Sequence, residues 1–141
     1  MRCVIDTNVW LSGLAHGRSA PGVVVRHAIA GGITPVFSRE SFAELSEVLH
    51  RPKILRWLNL SNLEAIEYLD MLEEVVQFVT QTKRLPVSVR DVKDTHILAT
   101  ALARPGADAL ISGDTDLLVL QGQVATDVIA PAAFIVKYKF S

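Results

Sequence analysis

The chain has 141 residues, of which 50% are hydrophobic and 21% charged, and its formal net charge is −1. This composition is too apolar for a disordered chain, and the length is sufficient for a single domain, residues 1–141, with its own core. The near-neutral charge gives the protein no overall attraction to a polyanion, so any contact with nucleic acid has to be local.

A single cysteine, Cys3, lies within the first apolar run, which excludes an intramolecular disulfide and fits a reducing cytosol. We expect it to be a buried core residue. No apolar run approaches the ~20 residues that a membrane-spanning helix needs. The chain enters a strand pattern directly after Met1, which leaves no room for a signal peptide. We therefore expect a cytoplasmic protein with no membrane partner.

Apolar runs typical of buried strands alternate with segments of helical period. In chain order the predicted elements are a strand at CVID, a helix from about Pro21 to Gly31, a strand at ITPVFS, helices at RESFAELSEVLH, KILRWL and NLEAIEYLDMLEEV, a strand at VVQFV, a helix at DTHILATALARPG, and strands at DALIS and VATDVI. This alternation predicts an α/β fold, a three-layer α/β/α sandwich with a central parallel sheet of about five strands.

Acidic residues follow two of the predicted strands at the point where each strand ends. Asp6 ends the first strand, and Asp114 and Asp116 follow the fourth in ISGDTDLL. In open parallel sheets, ligands bind beyond the carboxyl ends of the strands, near the point where the strand order reverses. These carboxylates are therefore candidates for a binding site at this edge of the sheet.

The helix after the second strand adds a fourth candidate acid, Glu44. At about 100° per residue, its apolar stripe contains Phe42, Leu45, Val48 and Leu49. Glu44 lies nearest the edge of this stripe, whereas Glu40 and Glu47 lie well outside it. We expect Glu44 to face the sheet edge and the other two glutamates to face solvent.

Asp94 is predicted on the inward side of its helix. It lies three and four residues before Ile97 and Leu98, which belong to the apolar face of that helix. Burial of an uncompensated charge costs several kcal/mol. Either backbone N–H groups at the start of the helix or a cation must therefore compensate this carboxylate.

Each acid also has an ordinary structural alternative. Asp6 could cap the turn after the first strand, Asp94 could be a helix N-cap, and Asp114 and Asp116 could be turn and cap residues. Several such acids at one sheet edge would nevertheless repel one another without a counter-charge. A hard divalent cation with oxygen ligands explains them together, and carboxylates favour Mg²⁺ or Mn²⁺.

Other catalytic chemistries lack their residues in this sequence. No glycine-rich phosphate loop and no defensible Ser-His-Asp or Cys-His arrangement is present. The four histidines show no ligand spacing. Carboxylate-held Mg²⁺ or Mn²⁺ typically activates water for attack on phosphate esters. Lys53, Arg56, Arg84 and Arg90 could contact a nucleic-acid backbone, although each could equally belong to a solvated surface.

Four stretches, in order, resemble the motifs of the PIN (PilT N-terminal) domain. VIDTNVW is similar to its opening strand and Asp-x-Asn motif, FAELSEVLHRPK to its glutamate-bearing helix, and RDVKDTHILATALA and ADALISGDTDLL to its third and fourth acidic motifs. The resemblance extends over essentially the whole chain, and the segment from Leu58 to Gln81 is the least diagnostic. It is greatest to short bacterial and archaeal members described as toxins of toxin–antitoxin systems.

The resemblance implies a metal-dependent ribonuclease with the acidic quartet Asp6, Glu44, Asp94 and Asp114. In the same way it implies Asp116 as an additional metal-binding acid, Asn8 as a support for the first aspartate, Ser112 as the small hydroxyl residue before the fourth motif, and Asp91 as a supporting or capping acid. Val92 and Lys93 depart from the pattern, because relatives often have proline and a further acid there. The implied partners are Mg²⁺ or Mn²⁺, an RNA substrate, a cognate antitoxin and a second copy of the chain.

Two other functions remain compatible with parts of this pattern. A PIN-like module could bind RNA or protein without cleaving it, and the intact acids argue against this. A phosphoacceptor or phosphatase domain also carries an aspartate after its first strand. It is disfavoured, because no second acid forms an Asp-x-Asp motif at Asp6 and no convincing partner lysine follows the last strands.

Overall fold

Five parallel strands form a central sheet with helices on both faces in the computed structural model, which describes residues 1–141. In chain order the elements are β1 (Arg2–Ile5), α1 (Thr7–Ala15), α2 (Ala20–Ala30), β2 (Thr34–Phe37), α3 (Arg39–Leu49), α4 (Pro52–Leu58), α5 (Asn62–Val75), β3 (Gln77–Phe78), α6 (Val92–Ala101), β4 (Ala109–Ile111), α7 (Thr115–Leu118), β5 (Asp127–Ile129) and α8 (Pro131–Lys137). The predicted α/β fold with a parallel sheet of five strands is confirmed. No helix combines the length and the apolar character needed to cross a membrane.

The strand order is β3-β2-β1-β4-β5, so β1 is the central strand. Cys3 in β1 is paired with Pro35 of β2 on one side and with Ala109 of β4 on the other. The chain builds outward from β1 first through β2 and β3, and later through β4 and β5. The order therefore reverses between β1 and β4, which is where open α/β sheets bind ligands.

The sheet separates two hydrophobic cores, because successive side chains of a strand point to opposite faces. In β1, Cys3 and Ile5 belong to the larger core, together with buried residues of α1 to α5 and α8. Val4 belongs to the smaller core, which α6 and α7 cover. Cys3 is fully buried, as expected, and burial raises the pKa of its thiol to about 12.

Three helices were absent from the sequence prediction. The first of them, α1, begins directly after β1, and its sequence TNVWLSGLA contains several weak helix formers. Burial of Val9, Trp10 and Leu11 stabilises it instead, since tertiary packing outweighs propensity in such segments. The short α7 follows Asp114, and α8 begins with a proline in the first helical turn, where proline is favoured.

Ser38, at the end of β2, connects the two helices that carry Glu44 and Asp94. Its buried hydroxyl caps α3 by accepting a hydrogen bond from the Ser41 N–H at 3.1 Å. It also accepts a hydrogen bond from the Thr100 hydroxyl of α6 at 3.0 Å. One side chain therefore fixes the start of α3 and the position of α6 against the sheet.

We expect Ser38→Ala to lower the free energy of unfolding by about 1–2 kcal/mol, because the change removes a buried cap and a hydrogen bond between helices. Ser61→Ala is the matched control, since Ser61 caps α5 in the same way but is exposed. It should cost less than about 1 kcal/mol. Urea denaturation measures both, and equal losses would contradict a connecting role for Ser38.

Candidate functional site

An acidic cavity of about 180 Å³ opens at the carboxyl ends of β1 and β4. Its walls come from the first turn of α1, the middle of α3 and the first turn of α6. The lining residues are Asp6, Thr7, Asn8, Glu44, Asp91, Lys93, Asp94, Ile97 and Asp114. Elements far apart in the sequence thus bring all four acids of the predicted quartet to one cavity.

The carboxylate of Asp6 is held by the neighbouring strand and does not cap a helix. Asp6 precedes α1, but its side chain makes no capping hydrogen bond to that helix. Its Oδ2 accepts a hydrogen bond from the Ser112 hydroxyl at 2.8 Å. The same hydroxyl oxygen accepts one from the Asp114 N–H at 3.0 Å. Ser112 is fully buried at the end of β4 and therefore joins the two strand ends that carry these acids.

Asp94 is the most buried acid of the cavity, with a side chain on the inward side of α6. The residue is only 4% exposed, and its Oδ2 has no hydrogen-bond partner. The cap of α6 is Asp91, whose Oδ1 accepts the Lys93 N–H at 2.9 Å. The capping alternative for Asp94 is therefore wrong, and that role belongs to Asp91.

Asp114 combines a capping bond with a place in the acidic cluster. Its Oδ1 accepts the Asp116 N–H at 2.9 Å and so caps α7. Asp94, Asp114 and Asp116 each offer a carboxylate oxygen, and these oxygens all lie within 4.8 Å of one another. Asp116 does not line the cavity itself but belongs to this group of three.

Two basic side chains partly compensate the outer acids. The Lys93 ammonium lies 3.3 Å from Glu44 Oε1, and the Arg90 guanidinium lies 3.3 Å from Asp116 Oδ1. Lys93 departs from the motif that the sequence resembles, and its contact with Glu44 was not predicted. Its position directly before Asp94, in the first turn of α6, is the signal that could have indicated a second side chain at the site.

The remaining sequence candidates also have defined positions. Asn8 is exposed and lines the cavity, but the hydrogen bond to the Asp6 carboxylate comes from Ser112. Support of Asp6 by Asn8 stays a prediction. Glu40 and Glu47 are exposed on α3, as their spacing predicts, and Glu47 pairs with Arg51.

Two carboxyl groups of the cavity have a raised pKa. Burial, followed by the negative charge of Asp114, raises the pKa of Asp94 from 3.8 to about 7. Burial also raises the pKa of Asp6, and the charges of Asp114 and Glu44 add to this, while the Ser112 hydrogen bond opposes it. The only basic residue that lines the cavity is Lys93, and its ammonium is paired with Glu44.

The residues present fit a divalent cation. The unpaired Oδ2 of Asp94 is a buried oxygen that needs a partner, and the donors around it are carboxylates, which hard cations such as Mg²⁺ and Mn²⁺ prefer. Asp94, Asp114 and Asp116 form the group best placed to hold such an ion. Asp6 and Glu44 provide further carboxylates in or beside the same cavity.

Comparison with known families agrees with this geometry. The chain matches the family model described as a PIN domain over residues 2–116, well over half of its length. This range runs from β1 into α7 and includes every acid of the cavity. PIN domains are generally metal-dependent nucleases, which supports a nuclease-type function and divalent-metal binding here. No protein of curated function matches the chain.

Asp94→Asn should change how the stability of the metal-free protein depends on pH. Because folding raises the Asp94 pKa from 3.8 to about 7, the folded state retains a proton that the unfolded state releases. The contribution of Asp94 to the free energy of unfolding is therefore fully present below pH ~4 and is lost as the pH rises through ~7. Asparagine is neutral throughout, so the variant should not undergo this loss.

Thermal melts in a chelating buffer between pH 5 and 8 provide the measurement. The melting temperature of Asp94→Asn minus that of the wild type should increase as the pH rises. Added Mn²⁺ should raise the melting temperature of the wild type only. Asp70→Asn, an exposed change on α5, is the control and should follow the wild type. A constant difference between Asp94→Asn and the wild type would contradict the inferred pKa.

Proposed function

The chain belongs to the PIN-domain family, and from this premise we propose that it is a Mg²⁺- or Mn²⁺-dependent endoribonuclease that hydrolyses RNA phosphodiester bonds. The observation that carries the proposal is the buried Asp94 carboxylate. One of its oxygens is unpaired, and it lies among other acids where the strand order reverses between β1 and β4. A buried, unpaired carboxylate among other acids opposes folding. A metal-dependent nuclease nevertheless needs such a group to hold its cation.

Each acid has a role in this proposal that follows from its contacts. Asp94, Asp114 and Asp116 would hold the cation, and Asp6 would contribute a carboxylate whose orientation the Ser112 hydroxyl fixes. When bound, the ion supplies Lewis acidity and lowers the pKa of water for attack on the phosphorus. Glu44, which lines the cavity from α3, would complete the ligand set or accept a proton from the attacking water.

The basic side chains of the site have a role as well. Lys93 lines the cavity, and its ammonium contacts Glu44. A bound phosphate would offer Lys93 an alternative charge-assisted partner and would release Glu44 for proton transfer. Arg90, which is exposed beside Asp116, would contact the phosphate backbone outside the cavity.

The biological role that we propose is that of a toxin in a type II toxin–antitoxin system, acting on RNA in the cytoplasm. This part of the proposal rests on the family resemblance of the sequence. An antitoxin with a basic tail segment would complement the acidic cavity, because its cationic side chains could occupy the space among the carboxylates. Such a segment would compete directly with the metal ion and with RNA.

We further propose that two copies of the chain associate through the surface of α4 and α5. Large apolar side chains are exposed there, with Trp57 51% and Leu63 63% exposed, and Ile66 and Met71 lie on the same helix as Leu63. The five acids of α5 are accompanied by no basic residue in that helix, whereas α4 carries Lys53 and Arg56. A two-fold arrangement would place α4 of each copy against the acidic α5 of the other.

The main rival is a PIN-like module that binds RNA or protein without cleaving it. The cavity acids would then be expendable, and binding would continue without a divalent ion. The presence of all the acids in one cavity favours the enzyme, because a binding module gains nothing from mutually repelling carboxylates.

Asp6→Asn should lower RNA cleavage at least about 100-fold, because it removes one negative charge from the site while it preserves the side-chain shape. Cleavage of a labelled RNA in Mn²⁺ measures this, and excess EDTA should abolish the wild-type activity. Asp70→Asn, an exposed change on α5, should cleave normally. Full activity of Asp6→Asn, or activity that persists in EDTA, would refute the proposed enzyme.

Ile66→Glu should shift the protein from dimer to monomer, because it replaces an apolar contact of the proposed interface with a charge that dimerisation would bury. Light scattering coupled to size-exclusion chromatography at several concentrations measures the mass. Val136→Glu, at an exposed apolar position on α8, is the matched control and should leave the mass unchanged. A monomeric wild type at all concentrations would refute the proposed dimer.

A further inference from the structure

A second cavity of about 330 Å³, which we call the neutral cavity, adjoins the acidic one. It lies between the first turns of α1, α2 and α8 and the loop after β4. No charged residue lines it, and its surface is mostly carbon from small side chains and from the rings of Pro21 and Pro131. The two cavities therefore differ sharply in chemistry although they share an edge.

Two residues connect the cavities. Asn8 lines both of them. Gly113 lines the neutral cavity and lies between Ser112 and Asp114 in the chain. The Asp114 N–H donates a hydrogen bond to the Ser112 hydroxyl, which in turn contacts Asp6. Apart from Gly113 and its two chain neighbours, no residue has an atom within 4 Å of the position that a Cβ on Gly113 would occupy. Gly113 therefore leaves the space beside its Cα open to a ligand.

We propose that the neutral cavity binds the nucleoside that adjoins the scissile phosphate of the RNA. The inference rests on the proposed function, since it assumes that the acidic cavity holds that phosphate. An RNA phosphodiester carries a nucleoside on each side, so one of them must lie next to the acidic cavity. The neutral cavity is an uncharged space at that place, bordered by Asn8.

The cavity walls suit a base and a ribose. Pro21 and Pro131 lie in the first turns of α2 and α8, where the proline ring is held rigidly, and they present flat apolar surfaces for a base. Stacking of this kind tolerates any base, because every base has a π-face. The Asn8 side-chain amide can both donate and accept hydrogen bonds and could contact a base edge or a ribose hydroxyl.

The alternative occupants fit less well. A charged side chain of a partner protein would lose its hydration in this cavity without meeting an opposite charge. A phosphate group would meet the same penalty. A neutral, partly aromatic group attached to an anion would suit the two cavities once a divalent cation occupies the acidic one, and a nucleotide is such a group.

The test uses RNA oligonucleotides that span a site cleaved by the wild type, with the base removed from the nucleotide on one side or the other of the scissile bond. Loss of the base on one side should lower the wild-type kcat/KM at least about tenfold, because stacking is lost. Ala132→Leu, which narrows the neutral cavity, should lower kcat/KM for the intact RNA by a similar factor. It should add little further loss on that abasic RNA, because the base it would displace is already absent.

Ala133→Leu is the matched control, since Ala133 is equally exposed on α8 but does not line the cavity. It should behave as the wild type on both substrates. Ala20→Leu narrows the cavity from the α2 side and should reproduce the effect of Ala132→Leu. Thermal melts confirm that each variant is folded.

Two results would overturn the inference and leave the proposed function intact. One is a wild type that cleaves RNA equally well with the base absent on either side. The other is an Ala132→Leu variant that slows cleavage of the intact and abasic RNAs by the same factor, as a partner-protein surface or a merely structural position would. A wild type that cleaves no RNA in Mn²⁺ would instead overturn the proposed function, and the inference with it.

Discussion

The repulsion among carboxylates at the carboxyl edge of the sheet is the constraint on which the site depends. The strand order brings the ends of β1 and β4 together, and with them Asp6 and Asp114. Asp94 enters the same space from the first turn of α6 and is nearly fully buried. Burial, together with the like charges that accumulate there, raises the pKa of Asp6 and of Asp94 in the metal-free site.

The chain compensates these charges unevenly. Glu44 and Asp116, at the margins, are paired with Lys93 and Arg90. Asp6 is bound to a neutral hydroxyl, and one oxygen of Asp94 has no partner. Compensation is therefore weakest at the centre, where a divalent cation would be most strongly attracted. The marginal lysine and arginine are also the groups that an approaching phosphate would meet first.

The sequence was sufficient to predict those features that depend on chain periodicity and strand ends. Alternation of apolar runs predicted the parallel sheet, and the helical spacing placed Asp94 inward, where it is buried. Contacts between distant segments could not be predicted, because no local pattern encodes them. The pairing of Lys93 with Glu44, the bond from Ser112 to Asp6 and the connection of α3 to α6 by Ser38 all belong to this class. The helix α1 was missed because its stability comes from burial of Trp10 and its neighbours, despite weak propensity.

A crystal structure of the wild type grown with Mn²⁺, with anomalous data collected at the manganese edge, tests the central claim most directly. We expect an anomalous peak that marks a manganese ion bound by the Asp94 carboxylate and by Asp114 or Asp116. The buried Oδ2 of Asp94 would then have its missing partner. An acidic cavity that contains no manganese, with Asp94 hydrogen-bonded to protein or water alone, would contradict the account.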